Sequence, residues 1–97
     1  MNYKDLSVTN NEQEQRYEFI VDNQISFIDY EKKGDKIFLT HTEVPEELEG
    51  KGVASAMVEK TFMEIEGQGL KVVPYCSYVR VFLKRHPEWN RLIVAAD

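Results

Sequence analysis

One run of backbone in this sequence can hold an anion, and a few side chains can do acid–base or nucleophilic work. The run is Glu49-Gly50-Lys51-Gly52-Val53-Ala54. Its glycines permit positive φ and close approach, so successive N–H groups can converge on one point. A helix beginning there adds unpaired N–H groups and partial positive charge, a combination that suits phosphate. Lys51 adds a full charge beside them. On its own the run also fits an ordinary glycine turn entering a helix. The spacing is neither the P-loop pattern nor the dinucleotide-binding glycine pattern, whose acidic partner at the end of a following strand is missing. Among side chains, His41 can take a proton near neutral pH. It also reads as a strand histidine that satisfies a core hydrogen bond or faces water. Cys76, the single cysteine, precedes a helix start, a position that suits a reactive thiol. It reads equally as a small buried hydrophobe.

Elements must carry these residues. Arg16–Val21 alternates Tyr17, Phe19 and Val21 against Glu18 and Ile20, a strand pattern. Gln24–Glu31 and Lys36–Val44 are rich in β-branched and aromatic residues, and Asp22-Asn23 and Lys33-Gly34-Asp35 carry turn chemistry. Thr9–Gln15 reads as weakly structured. From Lys51 to Glu66 the period changes: Val53, Ala54, Met57, Val58, Thr61, Phe62 and Ile65 recur at helical spacing, with Gly67 and Gly69 to end the helix. Leu70–Cys76 reads as a short buried strand. A second helix over Tyr78–Arg85 puts Tyr78, Val81, Phe82 and Arg85 on neighbouring turns, with Ser77 as N-cap and Pro87 as stop. The fold expected is α+β: a mixed, mostly antiparallel sheet with two main helices. Pro74 breaks a local rule, because it deletes a ladder donor inside a strand the topology makes internal.

Composition bounds the rest. A chain of 97 residues, 42% hydrophobic and 30% charged, buries roughly 65% of its unfolded surface. One domain over residues 1–97 is expected, its core spanning about 16–92. Net charge −5 argues against a nucleic-acid partner, which would want a basic stripe. No apolar run reaches the ~20 residues of a membrane span, the polar start is unlike a signal peptide, and one cysteine makes no internal disulfide. The expected place is the cytoplasm, as a monomer or weak dimer with no membrane partner and no metal. Residues 1–68 hold 7 basic and 15 acidic side chains, whereas 69–97 hold 5 and 2. A small anion therefore has a basic end to find on an acidic protein.

Four segments together carry a resemblance. The string His41-Thr42-Glu43-Val44-Pro45, the turn Gly50–Ala54, the run Val73-Pro74-Tyr75-Cys76-Ser77-Tyr78-Val79 and the close Arg85-His86-Pro87-Glu88-Trp89 resemble a subgroup of very short GNAT-superfamily acetyltransferases. The likeness extends from about Tyr17 to Trp89. The superfamily's phosphate turn reads [Q/R]-x-x-G-x-[G/A]. Gly52 and Ala54 match its last two positions, while Glu49 stands where Gln or Arg is usual.

The resemblance implies acetyl-CoA as co-substrate and an amine as acceptor. Its phosphates would sit on Gly50, Lys51, Gly52, Val53, Ala54 and Ser55, with Ser77, Phe82, Lys84 and Arg85, and also Arg80, as further contacts toward the coenzyme. Two strands, Ile37–Val44 and Leu70–Tyr75, would splay into a V that takes the pantetheine arm, which explains Pro74. The arm would pair with backbone of His41, Thr42, Glu43 and Val44, and one N–H near Thr42–Val44 would serve the oxyanion. His41 would accept the amine proton, Tyr78 would protonate the departing sulfur, and Cys76 is a less favoured covalent carrier, since most members use direct attack. Tyr78 also fits simple packing on Phe82, Lys84 and Arg85 also fit a solvated face, and Trp89 reads as a cap on the core. The short chain omits much of what builds the acceptor site in larger members. The acidic first two thirds lean toward a cationic acceptor: a lysine side chain, a protein amino terminus or a polyamine. A CoA-binding module without turnover, or a small interaction protein, is the alternative.

Overall fold

Alternation and turn chemistry set the first half of the chain. The computed structural model describes Tyr3 and residues 5–97. Strands β1 (Thr9–Asn11), β2 (Arg16–Val21), β3 (Gln24–Lys33) and β4 (Lys36–Glu43) form an antiparallel meander, and β5 (Lys71–Pro74) joins β4 in parallel. Helix α1 (Val53–Gly67) makes the crossover and α2 (Ser77–Arg85) follows β5. Short 3₁₀ turns cover Glu46–Leu48 and Pro87–Leu92. Asp22 and Asn23 close the β2–β3 hairpin with φ of 52° and 63°, the left-handed pair that matches the twist of a two-residue loop.

The expected α+β mixed sheet is present, with four corrections. β1 lies inside the stretch read as weakly structured. It has no apolar alternation to betray it; side chains secure it instead, Asn11 donating to Glu18 at 3.1 Å and Tyr30 to Asn10 at 2.7 Å. Cys76, not Ser77, is the N-cap of α2, and no side chain caps that end. The buried face of α2 is Val79, Phe82 and Leu83, while Val81 is exposed. Pro74 does not interrupt an internal strand: it is the last residue of β5, at the sheet's edge, beyond which Ile93 bridges Val72.

Tyr17, Phe19, Ile28, Ile37, Leu39 and Val72 face the helices, where Met57, Val58, Phe62 and Ile65 of α1 meet them. Phe62 is the hub, edge-on to Phe82 at 5.6 Å and to Trp89 at 5.5 Å, geometry that aromatic quadrupoles favour. The other face of the sheet leaves Ile20 and Ile25, opposite one another, about half exposed. Arg91 ties the C-terminal turn to α1 through a two-pronged pair with Glu66, at 2.7 and 3.0 Å. No helix among the described residues is long and apolar enough to cross a membrane.

A β-bulge decides where β4 points its side chains. Pairing runs Tyr30↔Leu39, then jumps to Asp29↔His41, leaving Thr40 unpaired. A one-residue slip flips every later side chain to the other face. Leu39 faces the core, so without the bulge His41 would too. With it, Thr42, opposite buried Ile28, takes the helix side, and His41 and Glu43 take the open side.

Tyr17 supplies a test of this packing. Its hydroxyl is buried without a hydrogen-bond partner among the described residues. Burial first, then the nearby Tyr30, Glu64 and Glu12, push the phenol up to about 12 from its usual 10.0. The unfolded chain releases this proton nearer pH 10, so the native state binds more protons in that window and stability falls as pH rises. Tyr17→Phe is expected to keep stability unchanged or higher at pH 7 and to lessen the loss between pH 10 and 12. Urea midpoints against pH read both; an unaltered alkaline loss would place the burden elsewhere.

Candidate functional site

The site begins where two strands part. β4 and β5 pair only from Lys36↔Lys71 to Leu39↔Pro74. Pro74 has no N–H to continue the ladder. The next two donors, the N–H groups of Tyr75 and Cys76, both converge on the Leu39 carbonyl, at 3.0 and 2.8 Å. The chain then turns into α2, while β4 runs on through Glu43. No strand among the described residues pairs with that edge of β4 past Leu39. Arg80 fixes the departure by donating to the carbonyls of Pro74 and Tyr75.

A cavity of about 540 Å³ opens on the helix side of the parting, within the size range of small-molecule sites. One wall is the end of β4, Thr42 to Val44; another is Leu48 to Ser55; the third is Tyr78 and Arg85 of α2. Gly50 and Gly52 adopt φ of 75° and 79°, the left-handed region that favours glycine. Gly52 is the N-cap of α1 with no side-chain cap, and the first helical bond runs from the Ala56 N–H to the Gly52 carbonyl. The N–H groups of Val53, Ala54 and Ser55 therefore lack intrahelical acceptors, and all three residues line the cavity. Unpaired donors, helix-end charge and Arg85 make a fitting seat for a diphosphate.

Ten of the sequence-derived site residues meet here: Thr42, Glu43 and Val44; Gly50, Gly52, Val53, Ala54 and Ser55; and Tyr78 with Arg85. Burial raises the Tyr78 phenol above its usual value, and Arg85 acts in the opposite sense. Cys76 is buried, its Sγ 3.1 Å from the Thr42 Oγ1 across the parting. His41 lies on the far face of β4, with Nε2 3.0 Å from the Glu43 Oε1.

The remaining residues are not brought to the cavity wall. Lys51 is exposed, and its carbonyl accepts from the Tyr3 hydroxyl at 2.8 Å. Ser77 and Lys84 are exposed on α2, and Phe82 is a core side chain stacked on His86 at 4.4 Å. Reasoning from sequence missed Leu48, which is buried under the cavity; Pro45 followed by two glutamates was the signal for the 3₁₀ turn that places it. Glu49, noted only as a departure from a pattern, is part of the lining. The described residues hold no cluster of three or more metal-ligating side chains.

Comparison with known proteins agrees with this fold. The sequence model of the family described as GCN5-related N-acetyl-transferase matches residues 16–92. A GCN5-like protein from Staphylococcus aureus, solved in solution by NMR, is similar in fold. It superposes with a TM-score of 0.69 at 21% identity, over 97% of this chain and 93% of that one. No curated protein matches the sequence.

The cradle makes a prediction of its own. Gly52→Ala forces an L-residue into the left-handed region, which costs about 1–2 kcal/mol. A Cβ at that position meets open space, so backbone strain is the whole effect. Denaturant unfolding of the protein alone is expected to show that loss; no change would mean the turn is not held at positive φ.

Proposed function

Because the chain belongs to the GCN5-related N-acetyltransferase family, we propose that it transfers the acetyl group of acetyl-CoA to an amine. The observation that carries this reading is the parting of β4 from β5 beside a cradle of unpaired N–H groups. When bound, acetyl-CoA supplies an activated acyl carbon, whose C–S bond breaks as a C–N bond to the amine forms. Val53, Ala54 and Ser55 would hold the diphosphate by their N–H groups, with Arg85 as the cation on that wall. The free edge of β4 would pair with the pantetheine amides as an added strand does. A backbone N–H between Thr42 and Val44 would face the carbonyl oxygen as negative charge develops there.

Two protons must move. The attacking amine gives one to His41, on the open face, so the acceptor would approach from the side of the sheet opposite the cavity. Tyr78, a phenol raised above its usual value by burial, would give one to the departing sulfur. The excess of carboxylates in the first 68 residues favours a cationic acceptor: a lysine side chain, a protein amino terminus or a polyamine.

A second reading has its own observation. Glu49 is part of the cavity wall where the family's turn usually has Gln or Arg, which favours a CoA-binding module without turnover. Thermal unfolding separates the readings from the absence of any ligand, since acetyl-CoA at 100 times its dissociation constant stabilises by about 2.7 kcal/mol. The expected result is that stabilisation, together with acetyl transfer to a lysine peptide or spermidine. His41→Ala should keep the thermal shift and lose transfer by about 100-fold or more. Stabilisation without transfer to any amine would establish the module; no stabilisation would overturn both. An acetyl adduct on Cys76 by intact-protein mass spectrometry, abolished by Cys76→Ser, would replace direct attack with a covalent route.

A further inference from the structure

We infer that Glu43 is a positioning residue for His41: its carboxylate holds the imidazole as the Nε2–H tautomer and leaves Nδ1 as the atom that takes the proton. The inference rests on the acetyl-transfer reading for its chemistry, but not for its geometry. The bulge at Thr40 puts His41 and Glu43 two residues apart on one face of β4, the spacing at which strand side chains lie side by side. Nε2 of His41 and Oε1 of Glu43 are 3.0 Å apart. An ionised carboxylate only accepts hydrogen bonds, so the shared proton belongs to Nε2. The second ring nitrogen is then the one with a free lone pair.

Among the described residues, Glu43 is the hydrogen-bond partner of the His41 ring. Asp29 lies directly opposite His41 on β3. Arg16 engages it at 3.3 Å. The same guanidinium covers Phe27 at 3.9 Å from the ring centre. Phe27 pairs opposite Glu43 and stands 6.4 Å from the His41 ring, so it walls the other side. Asp29 is ion-paired with Arg16, and the Glu43 carboxylate is the one in contact with Nε2. Both His41 and Glu43 side chains are more than half exposed, so as a charge pair they add little. What the contact sets is which nitrogen carries the hydrogen.

The consequence for the reaction balances. An amine N–H proton passes to the Nδ1 lone pair as the amine attacks, giving an imidazolium whose Nε2–H still faces the Glu43 carboxylate. Deprotonation by solvent returns the same tautomer, ready for the next turnover.

The test is the tautomer itself, read from the ring nitrogen shifts of ¹⁵N-histidine protein at a pH where the imidazole is neutral. His41 and His86 are the only two histidines, and His41→Ala assigns the signals. The wild type is expected to show a protonated Nε2 and a bare Nδ1 at His41. Glu43→Lys, which presents a donor in place of the acceptor, should reverse the pattern, and Glu43→Gln should give a mixture. In parallel, Glu43→Gln should lower kcat for acetyl transfer by about 10- to 100-fold while the thermal shift with acetyl-CoA persists. A protonated Nδ1 in the wild type, or a pattern indifferent to Glu43→Lys, would overturn the inference. Because the nitrogen shifts need no turnover, a wild type that shows the expected tautomer but never transfers acetyl refutes the enzyme reading and not the positioning.

Discussion

The loss of one backbone donor organises this site. Pro74 ends the β5 ladder, and the donors that follow it, Tyr75 and Cys76, crowd onto a single carbonyl, that of Leu39. Continuing the parallel pairing would require β5 to track β4 for another four residues. Instead the chain swings into α2, with Arg80 bound to the carbonyls it leaves behind. The space so created holds the unpaired edge of β4, the cavity, and the approach of α2's Tyr78 and Arg85 toward the start of α1. In a sheet, unpaired backbone groups are ordinarily a cost. Here they form the surface on which an extended, amide-bearing ligand can be held.

A second irregularity, the bulge at Thr40, gives this edge two chemically different sides. Below it β4 sends Ile37 and Leu39 into the core; above it Thr42 inherits that side and meets Cys76. His41 and Glu43 are turned to the open face. The thiol and the imidazole are thus separated by the strand itself. Cys76 lies on the helix side of the strand, against Thr42, whereas the His41 ring lies on the open side. The two candidates are not partners in one thiol–imidazole pair, although sequence alone would have let them be.

How much of this was legible follows from which forces act locally. The β2 bounds and the buried face of α1 could be read from period alone, because Tyr17, Phe19 and Val21, and Val53, Met57, Val58, Phe62 and Ile65, are all committed to one core. The glycine turn was legible because positive φ leaves a mark in residue type. The bulge leaves none: Thr40 is an unremarkable strand residue, and only the cross-strand register reveals it. β1 was hidden because it buries little and relies on Asn10 and Asn11 side chains. In α2 the apolar residues Val79, Val81, Phe82 and Leu83 crowd too closely for nine residues to define one face, so contact with α1 decides.

Charge was the least transferable signal. The basic excess after residue 68 suggested an anion site, yet most of that charge has structural work. Arg80 holds strand-end carbonyls, Arg91 clamps Glu66, and Lys71 reaches the Arg91 carbonyl at 3.4 Å. Of the five cations in that stretch only Arg85 lines the cavity, and the Glu43 carboxylate turns away from it to His41 on the open face. An anion seated there would be held chiefly by oriented N–H groups, with Arg85 as the single full charge. Such donors are fixed by the fold and cost no side-chain ordering when a ligand arrives. At the start of α1 the fixed backbone, more than any set of side chains, is what this fold offers to an anion.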